Sequence, residues 1–274
     1  MESTSLIAQF LASRRQGTSP STLQFYRGYL TRAITVVGTR VKAKQIISFL
    51  HRLPCSNGGR HAYYRSLRAF YNWLYSPKSG LGLNPQENPI LLVDPPKVAK
   101  RILPAPTPQQ VQYLMREAEC IRDRAIISMF AESGVRLSEL ANIEDTNIDW
   151  EDYTVTVWGK GNKQRRAPFG ETTAQLLREI VSRNGTGGNI WGMKARGIAS
   201  MLSRLERKTG VKCNAHSFRR HFSATLHRAG MDIEHIMRLG GWENLQMVIR
   251  YTQSVKFEDS LRHYQAVMKH LRDG

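Results

Sequence analysis

"YTVTVWGKGNKQRRAPF", residues 153–169, is the stretch where the sequence changes from helical to alternating hydrophobicity. Val155 and Val157 fall on one face of an extended segment, and Thr154 falls on the other. A turn that contains two glycines follows, and then a second, basic strand. This pattern predicts a β-hairpin.

The segments around the hairpin have helical periodicity. Their apolar residues recur at three- and four-residue spacing, which is typical of amphipathic helices. The helices predicted in this part of the chain lie at about 107–119, 122–133, 171–183, 195–209, 217–229, 232–239, 244–253 and 257–271. The sequence therefore predicts a mainly α fold with a small antiparallel β-sheet.

A proline-rich stretch, "VDPPKVAKRILPAPTPQQ" at residues 93–110, divides the chain. Its five prolines and its basic residues disfavour regular structure and predict an extended linker. The next helix is expected to begin at Thr107, which can form a capping box with Gln110. The predicted first domain, linker and second domain are residues 1–98, about 93–106 and 107–274.

The first domain is predicted to be a small bundle of about four helices. "GRHAYYRSLRAFYNWLY", residues 59–75, has an aromatic and aliphatic stripe at helical spacing, which is expected to face the core. Arg65 and Arg68 lie off this stripe. They belong either to a solvated face or to a face that contacts DNA, and this segment alone leaves both interpretations open.

The charge of the chain indicates what it binds. It has 40 Lys and Arg against 22 Asp and Glu, which gives a net charge of +18 and a pI near 10.2. The first 98 residues contribute +10 of this excess. The expected partner is a polyanion, and nucleic acid is favoured over a membrane because no basic amphipathic helix or lipidation motif is visible.

Three features of the sequence bear on location. It has no run of 18 or more apolar residues, so we expect no membrane span. The N-terminal "MESTSLIAQFLASRRQ" lacks the basic leader of a secretory signal. The three cysteines are far apart in sequence, which favours a reducing compartment over a disulfide framework. We therefore expect a cytoplasmic protein.

Two stretches combine residues that are suited to phosphate chemistry. "GVRLSEL" places Arg136 at the start of a helix, where its guanidinium can hold two phosphate oxygens, and Glu139 can orient it. A surface Arg–Glu pair is the alternative. The hairpin turn contains Lys160 and Lys163. A lysine there either protonates a leaving oxygen or keeps the turn soluble.

"AHSFRRHFSATLHRAG", residues 215–230, begins with His216 and Arg219, which share one helical face. A histidine transfers protons near neutral pH, and a helix N-terminus favours an anion. The adjacent Arg220 is a candidate DNA contact. A zinc site formed by the three histidines of this stretch is disfavoured, because their spacings of five and six residues do not match the usual ligand spacing.

"GGWENLQMVIRYTQS", residues 240–254, is predicted to form a short amphipathic helix. The residues expected to face the core are Leu245, Val248, Ile249 and Thr252. Tyr251 lies about 110° from the centre of this stripe. Its phenol is either a surface group or a nucleophile held toward a cleft. The indole N–H of Trp242 either donates to a phosphate oxygen or is buried.

The order of these residues, Arg…Lys…His-x-x-Arg…Trp…Tyr, resembles the tyrosine recombinases, also called phage integrases, and in particular their compact Xer-like members. The matching stretches are "GVRLSEL", "GKGNKQRRAPFG", "HSFRRHFSATL" and "LGGWENLQMVIRYTQ". The basic helical first domain is similar to the family's core-binding domain, which has a SAM-like fold. Phe218 replaces the usual Leu, and Trp242 stands where His is common, although some members have Trp there.

The resemblance implies a site-specific DNA recombinase. The implied catalytic residues are Arg136, Lys160, His216, Arg219, Trp242 and Tyr251, with Glu139 in support. Tyr251 would attack the scissile phosphate and form a 3′-phosphotyrosyl link, while His216 removes the phenol proton and Lys160 protonates the leaving oxygen. The two arginines would stabilise charge on the phosphate. The candidate DNA contacts in the sequence are Arg65, Arg68, Lys163 and Arg220.

The resemblance also implies partners. These are double-stranded DNA at a specific site and a tetramer on DNA, formed with itself or with a related recombinase. No metal or cofactor is expected, because the covalent link conserves the energy of the phosphodiester bond. The helix at about 257–271 would dock on a neighbouring copy, rather than on its own domain.

Three alternatives stay open from the sequence. A type IB topoisomerase shares this chemistry but rejoins the same strand. A catalytically silent, sequence-specific DNA-binding protein would be expected to lack a catalytic position. A metal-dependent nuclease would need clustered carboxylates, and the sequence shows no such cluster.

Overall fold

The computed structural model describes residues 3–99, 103–159, 161, 163–184, 187–252 and 257–273. Its contacts divide the chain into two compact units, residues 1–100 and residues 101–274. Each unit has its own hydrophobic core. The division falls within the proline-rich stretch of the sequence.

The described part of the first unit is a bundle of helices. They are α1 (Ser3–Ser13), α2 (Pro20–Val37), α3 (Ala43–Arg52) and α4 (Asn57–Leu74), followed by short 3₁₀ turns at Pro77–Ser79, Pro85–Glu87 and Pro89–Leu92. Local sequence sets the helix starts. Ser19, directly before the proline that begins α2, accepts a hydrogen bond from the backbone N–H of Thr22. Ser56 caps α4 in the same way.

Helix α4 buries the stripe that its sequence predicts. Its fully buried members are Leu67, Phe70, Tyr71 and Leu74. Arg65 and Arg68 are exposed, as their positions off the stripe predict. The Arg65 guanidinium lies 5.2 Å from the ring centroid of Phe25 on α2, and this cation–π contact keeps the charge at the surface of the bundle.

The second unit combines helices with a small sheet. Its described α-helices and strands are α5 (Pro108–Glu117), α6 (Ile121–Ser133), α7 (Leu137–Ala141), β1 (Ile148–Asp149), β2 (Thr154–Trp158), β3 (Gln164–Pro168), α8 (Glu171–Asn184), α9 (Ala195–Thr209), α10 (Ala215–Arg228), α11 (Ile233–Gly240), α12 (Leu245–Thr252) and α13 (Phe257–Asp273), with a 3₁₀ turn at Asp145–Asn147. The predicted mainly α fold with a small antiparallel sheet is confirmed.

The sheet has the order β1-β2-β3 and is antiparallel throughout. Val155 pairs with Ala167, and Val157 pairs with Arg165. Val155 and Val157 are buried, as the alternation of the sequence predicts. Strand β1 has two residues, which is too short for any periodicity to be visible in the sequence.

Helix α6 forms the centre of the second unit, where it packs against α5, α8 and α10. Phe130 of α6 stacks on Phe218 of α10, with ring centroids 5.8 Å apart. Phe218 therefore fills the space between the two helices with an aromatic ring. Helix α6 ends at Gly134, whose N–H donates to the carbonyl of Phe130.

The prediction of which residues of α12 face the core is largely wrong. Val248 is fully buried, but Leu245 is 38% exposed and Ile249 is 46% exposed. The side chain of Thr252 lies outside the described residues. Burial on this helix centres instead on the face that packs against α10 and α11, where Val248 and half-buried Tyr251 join the same small apolar cluster.

Helix α13 forms where the sequence predicts a helix, but the apolar side chains along one side of it are exposed. Leu261, Tyr264, Val267 and Leu271 are all exposed. The helix contacts α10, and an ion pair joins Arg228 to Asp259 at 3.5 Å. No helix in the described ranges is both long and apolar enough to cross a membrane.

Replacing Gly134 with Ala should destabilise the second unit. Gly134 has a φ of 56°, and a Cβ atom there would lie 2.6 Å from Cδ1 of Phe222. The left-handed conformation costs a non-glycine residue about 1–2 kcal/mol, and the overlap with the ring adds about 1–3 kcal/mol. Thermal and urea unfolding of the whole chain would measure the total loss of stability.

Gly210→Ala is the matched control for this change. Gly210 also ends a helix with a positive φ, of 71°, but a Cβ atom there would have no described atom within 4 Å. The free energy of unfolding of this variant should fall only by the cost of the left-handed backbone conformation, about 1–2 kcal/mol. Equal losses in the two variants would contradict the steric argument.

Candidate active site

The carboxyl end of helix α11 brings three arginines together. The last carbonyl oxygens of a helix have no partners within it and have partial negative charge, so they attract cations. Three consecutive carbonyls each accept from a different arginine. The bonds are Arg165 Nη1 to Leu239 O at 2.7 Å, Arg219 Nη2 to Gly240 O at 2.9 Å and Arg136 Nη2 to Gly241 O at 2.8 Å.

Glu139 is the buried counterion of this cluster and is 1% exposed. Its Oε1 lies 2.5 Å from Nη1 of Arg136, and its Oε2 lies 2.7 Å from Nη2 of Arg165. Burial alone raises the pKa of this carboxyl. The hydrogen bonds and charge of Arg165, together with the bonds from Arg136, outweigh that effect and hold the pKa below its usual value. Glu139 is therefore ionised at neutral pH.

Arg136 stands at the N-cap of helix α7. Its backbone N–H donates to Oε2 of Glu139 at 2.8 Å, so the same carboxylate caps the helix and holds the guanidinium. The Arg136 side chain is partly exposed. One side of the guanidinium is thus fixed by Glu139 and Gly241, and another side is open to an anion.

Arg219 is the buried member of the arginine cluster and is 2% exposed. It donates to the carbonyls of Gly134 and Gly240, which tie α10 to the ends of α6 and α11. Its guanidinium carbon lies 4.3 Å from the ring centroid of Trp242. Burial, followed by the charges of Arg136 and Arg165, lowers the pKa of Arg219 to about 10. The side chain remains cationic at neutral pH.

His216 lies in the first turn of α10 and is exposed. Partial desolvation, followed by the positive charges of Arg219, Arg220 and Arg136, lowers its pKa below the ordinary value. The imidazole is therefore neutral at physiological pH and able to accept a proton.

Trp242 and Tyr251 pack against each other beside the arginines. Their ring centroids are 5.4 Å apart, and the Phe222 ring also stacks on the indole, with ring centroids 6.5 Å apart. Trp242 is 5% exposed, and its Nε1 has no hydrogen-bond partner among the described residues. Tyr251 is half-buried, and it packs on the same indole ring that lies 4.3 Å from the guanidinium carbon of Arg219. The tyrosine is thus adjacent to the cationic cluster.

Two further candidates selected from the sequence are the lysines of the hairpin turn. Lys160 lies outside the described residues. Its neighbour Gly159 is adjacent to the Arg–Glu pair, since a Cβ atom there would lie 3.3 Å from Oε1 of Glu139. Lys163 is exposed and forms an ion pair with Glu243 at 3.1 Å.

Arg220 differs from the exposed DNA contact that the sequence suggests. The side chain is buried, and its Nε donates to the carbonyl of Pro104 at 3.0 Å. His221 beside it is also buried, and its Nδ1 lies 2.7 Å from the carbonyl oxygen of Pro106. The two side chains fasten the segment before α5 to the helix that holds His216 and Arg219.

Arg165 is the site residue that the sequence analysis missed. In the sequence it is one of several basic residues on the second strand. The register of the hairpin is the feature that indicates its position. Arg165 pairs with Val157, so its side chain lies on the buried face of the sheet. Within the described ranges, no cluster of three or more His, Cys, Asp or Glu side chains is placed to hold a metal ion.

Comparisons with known proteins agree with this geometry. Residues 106–257 match the family model described as Phage integrase family. The tyrosine recombinase XerC of Bacillus licheniformis is 30% identical over 222 residues, covering 72% of this chain and 70% of the relative. The XerC of Anoxybacillus flavithermus is 29% identical over 236 residues, covering 78% and 76%. A lambda integrase dimer bound to a COC′ core site has a TM-score of 0.76 at 13% identity, covering 94% and 98%.

The chain therefore belongs to the phage integrase family. It is a tyrosine site-specific recombinase, an enzyme of DNA recombination, and the resemblance stated from the sequence is confirmed. The topoisomerase and silent DNA-binding alternatives are not favoured. The likeness to lambda integrase shows the shared fold.

The lowered pKa of His216 can be tested by measuring the midpoint of its titration. By NMR, its imidazole should titrate below the ordinary value of 6.5. Arg136→Gln removes one of the neighbouring positive charges, so the midpoint should move upward. Arg166→Gln is the control, because the charge of Arg166 is paired with Asp149 and Asp152. An unchanged midpoint in Arg136→Gln would refute this electrostatic explanation.

Proposed function

We propose that Tyr251 is the nucleophile of the recombinase and that the arginine cluster binds the scissile phosphate. The observation that supports this most directly is the common anchorage of Arg136 and Arg219. They donate to the adjacent carbonyls of Gly240 and Gly241, and Tyr251 packs against the next residue along the chain. A cationic site therefore lies directly beside a phenol.

In the proposed reaction, the Tyr251 phenol oxygen attacks phosphorus and the bond from phosphorus to the 5′ oxygen breaks. The products are a 3′-phosphotyrosyl link and a free 5′-hydroxyl. A 5′-hydroxyl from another strand reverses the step and exchanges the partners. One phosphodiester bond replaces another, so ATP is not required.

Arg136 and Arg219 have the chemistry to stabilise the charge that develops on the non-bridging oxygens. Neutral His216 takes the phenol proton, and the lowered pKa of His216 supports this role. Lys160 delivers a proton to the leaving 5′ oxygen. The unpartnered indole N–H of Trp242 adds a further donor when the ring moves toward the phosphate. Glu139 orients Arg136.

We further propose that the two units share the binding of double-stranded DNA at a specific site. Residues 1–98 would form the core-binding domain, residues 107–274 would form the catalytic domain, and the basic segment 93–106 would join them. The high positive charge of the first 98 residues supports this division. The proposed DNA contacts are Arg65, Arg68 and Lys163, whereas buried Arg220 holds the segment before α5. The protein would act in the cytoplasm, at the nucleoid.

The recombinase would act as a tetramer on two DNA duplexes, formed with itself or with a related recombinase. Both α12 and α13 expose apolar side chains, including Leu245 and Leu261. Helix α13 of one copy would cover the catalytic unit of the next copy, and repetition of that contact closes a ring. The charge of +18 opposes assembly until DNA neutralises it.

Tyr251→Phe tests the nucleophile. The variant loses one hydroxyl and keeps its ring against Trp242, so the fold and DNA binding should be retained. Covalent adduct formation on nicked recombination-site DNA should be abolished, because the attacking oxygen is absent. Denaturing gels with labelled DNA measure the adduct. Tyr113→Phe on α5 is the control and should form adduct at the wild-type rate. An adduct that persists in Tyr251→Phe would assign the nucleophile to another residue.

Deleting residues 257–274 tests the proposed assembly. The truncated chain should bind a single site with affinity within about threefold of wild type, because the catalytic cluster is intact. Complexes that join two duplexes, and recombination itself, should fall by at least about tenfold. Native gels with one-site and two-site DNA measure these effects. Full recombination by the truncated protein would exclude docking in trans.

A further inference from the structure

Arg165 connects three parts of the candidate active site. It lies on strand β3 of the hairpin, its Nη2 is 2.7 Å from Oε2 of Glu139, and its Nη1 donates to Leu239 at the end of α11. We propose that Arg165 is a positioning residue for cleavage, which acts on the phosphate through Arg136. This inference rests on the proposed role of Arg136 in binding the scissile phosphate.

The first part of the argument is the sharing of one carboxylate. Glu139 is fully buried and has two oxygens, of which one bonds the Arg136 guanidinium and the other bonds Arg165. When Arg165 holds Oε2, Glu139 contacts the Arg136 guanidinium through Oε1. Without Arg165, Oε2 keeps only the backbone N–H of Arg136 as a partner, and it can accept a second bond from the Arg136 guanidinium. That two-bond pair draws the guanidinium away from an incoming phosphate.

The second part of the argument is the contact with Gly241. This residue has a φ of 64°, and a Cβ atom there would lie 2.4 Å from Cδ and 2.6 Å from Nε of Arg165. The turn therefore packs directly on the stem of the Arg165 side chain. The carbonyl of the same Gly241 accepts from Arg136. Arg165 thus supports Arg136 from two directions, through Glu139 and through the turn.

The third part of the argument is charge. Arg136, Arg165 and Arg219 contribute three positive charges against the single charge of Glu139. This excess attracts a phosphate, but the Arg165 side chain is mostly covered. Its two Nη atoms donate to Glu139 and Leu239, and its Nε is buried without a hydrogen-bond partner among the described residues. Arg165 therefore influences the reaction without being a phosphate ligand.

The test compares Arg165→Gln and Arg165→Lys with a matched control, Arg166→Gln. Arg166 is the next residue on the same strand, but its side chain is exposed and pairs with Asp149 and Asp152. Single-turnover cleavage of nicked recombination-site DNA would be followed at saturating protein. DNA affinity and thermal unfolding would be measured on the same full-length proteins.

We expect Arg165→Gln to slow the cleavage step roughly 10- to 100-fold, because a small displacement of a charge-stabilising group has effects of this size. DNA affinity should stay within about threefold of wild type. Arg165→Lys should recover part of the rate, because an ammonium group retains the charge but lacks the planar, two-sided geometry. Arg166→Gln should cleave within about threefold of wild type.

A double-mutant cycle with Arg136→Lys separates positioning from general destabilisation. If Arg165 acts through Arg136, Arg165→Gln should slow cleavage by less than about threefold in the Arg136→Lys background. A loss of equal factor in both backgrounds overturns the proposal, as does an Arg165→Gln variant that cleaves like Arg166→Gln. If Arg165→Gln is unfolded, Arg165→Lys decides, since a wild-type rate in that folded variant also overturns the proposal.

The same experiments distinguish failure of this inference from failure of the proposed function. If Arg136→Lys cleaves like wild type, or if Tyr251→Phe still forms adduct, the assignment of the catalytic residues is wrong. If both of those variants lose activity and Arg165→Gln does not, the catalytic assignment stands and the positioning role of Arg165 is wrong.

Discussion

The cationic centre of this recombinase depends on the exposed carbonyls at the end of helix α11. Helix termini always leave such oxygens without partners, and here guanidinium groups from three other elements bind them. Three positive charges at such close range repel one another strongly in a partly dry site. The helix end and the carboxylate of Glu139 offset this repulsion.

The pairing of Glu139 with arginines contributes both to the stability of the folded unit and to the orientation of the cations in the candidate active site. Glu139 is buried and ionised, so it is stable only while its arginine partners remain in place. Those partners, Arg136 and Arg165, come from the start of α7 and from strand β3. The folded unit therefore has these cations already oriented. A phosphate that enters such a site requires little reorganisation of the protein, which is the condition for strong electrostatic stabilisation of a transition state.

Much of this protein is readable from its sequence. Alternation over Val155 and Val157 specified the hairpin, and helical periodicity located the helices around it, because local hydrophobic patterns follow the geometry of each element. The order of Arg, Lys, His, Arg, Trp and Tyr identified the family. The two arginines of that series meet at the end of α11, next to Trp242 and Tyr251.

The tertiary structure decided what depends on contacts between distant segments. The contacts of Arg165 require the pairing of β3 with β2 and the approach of α11, which lies about 70 residues away in sequence. Burial on α12 was predicted wrongly for Leu245 and Ile249, because the face that packs is set by α10 and α11. Local sequence determines which helices and strands form, but long-range packing determines which of their side chains meet, since that depends on elements far apart in the chain.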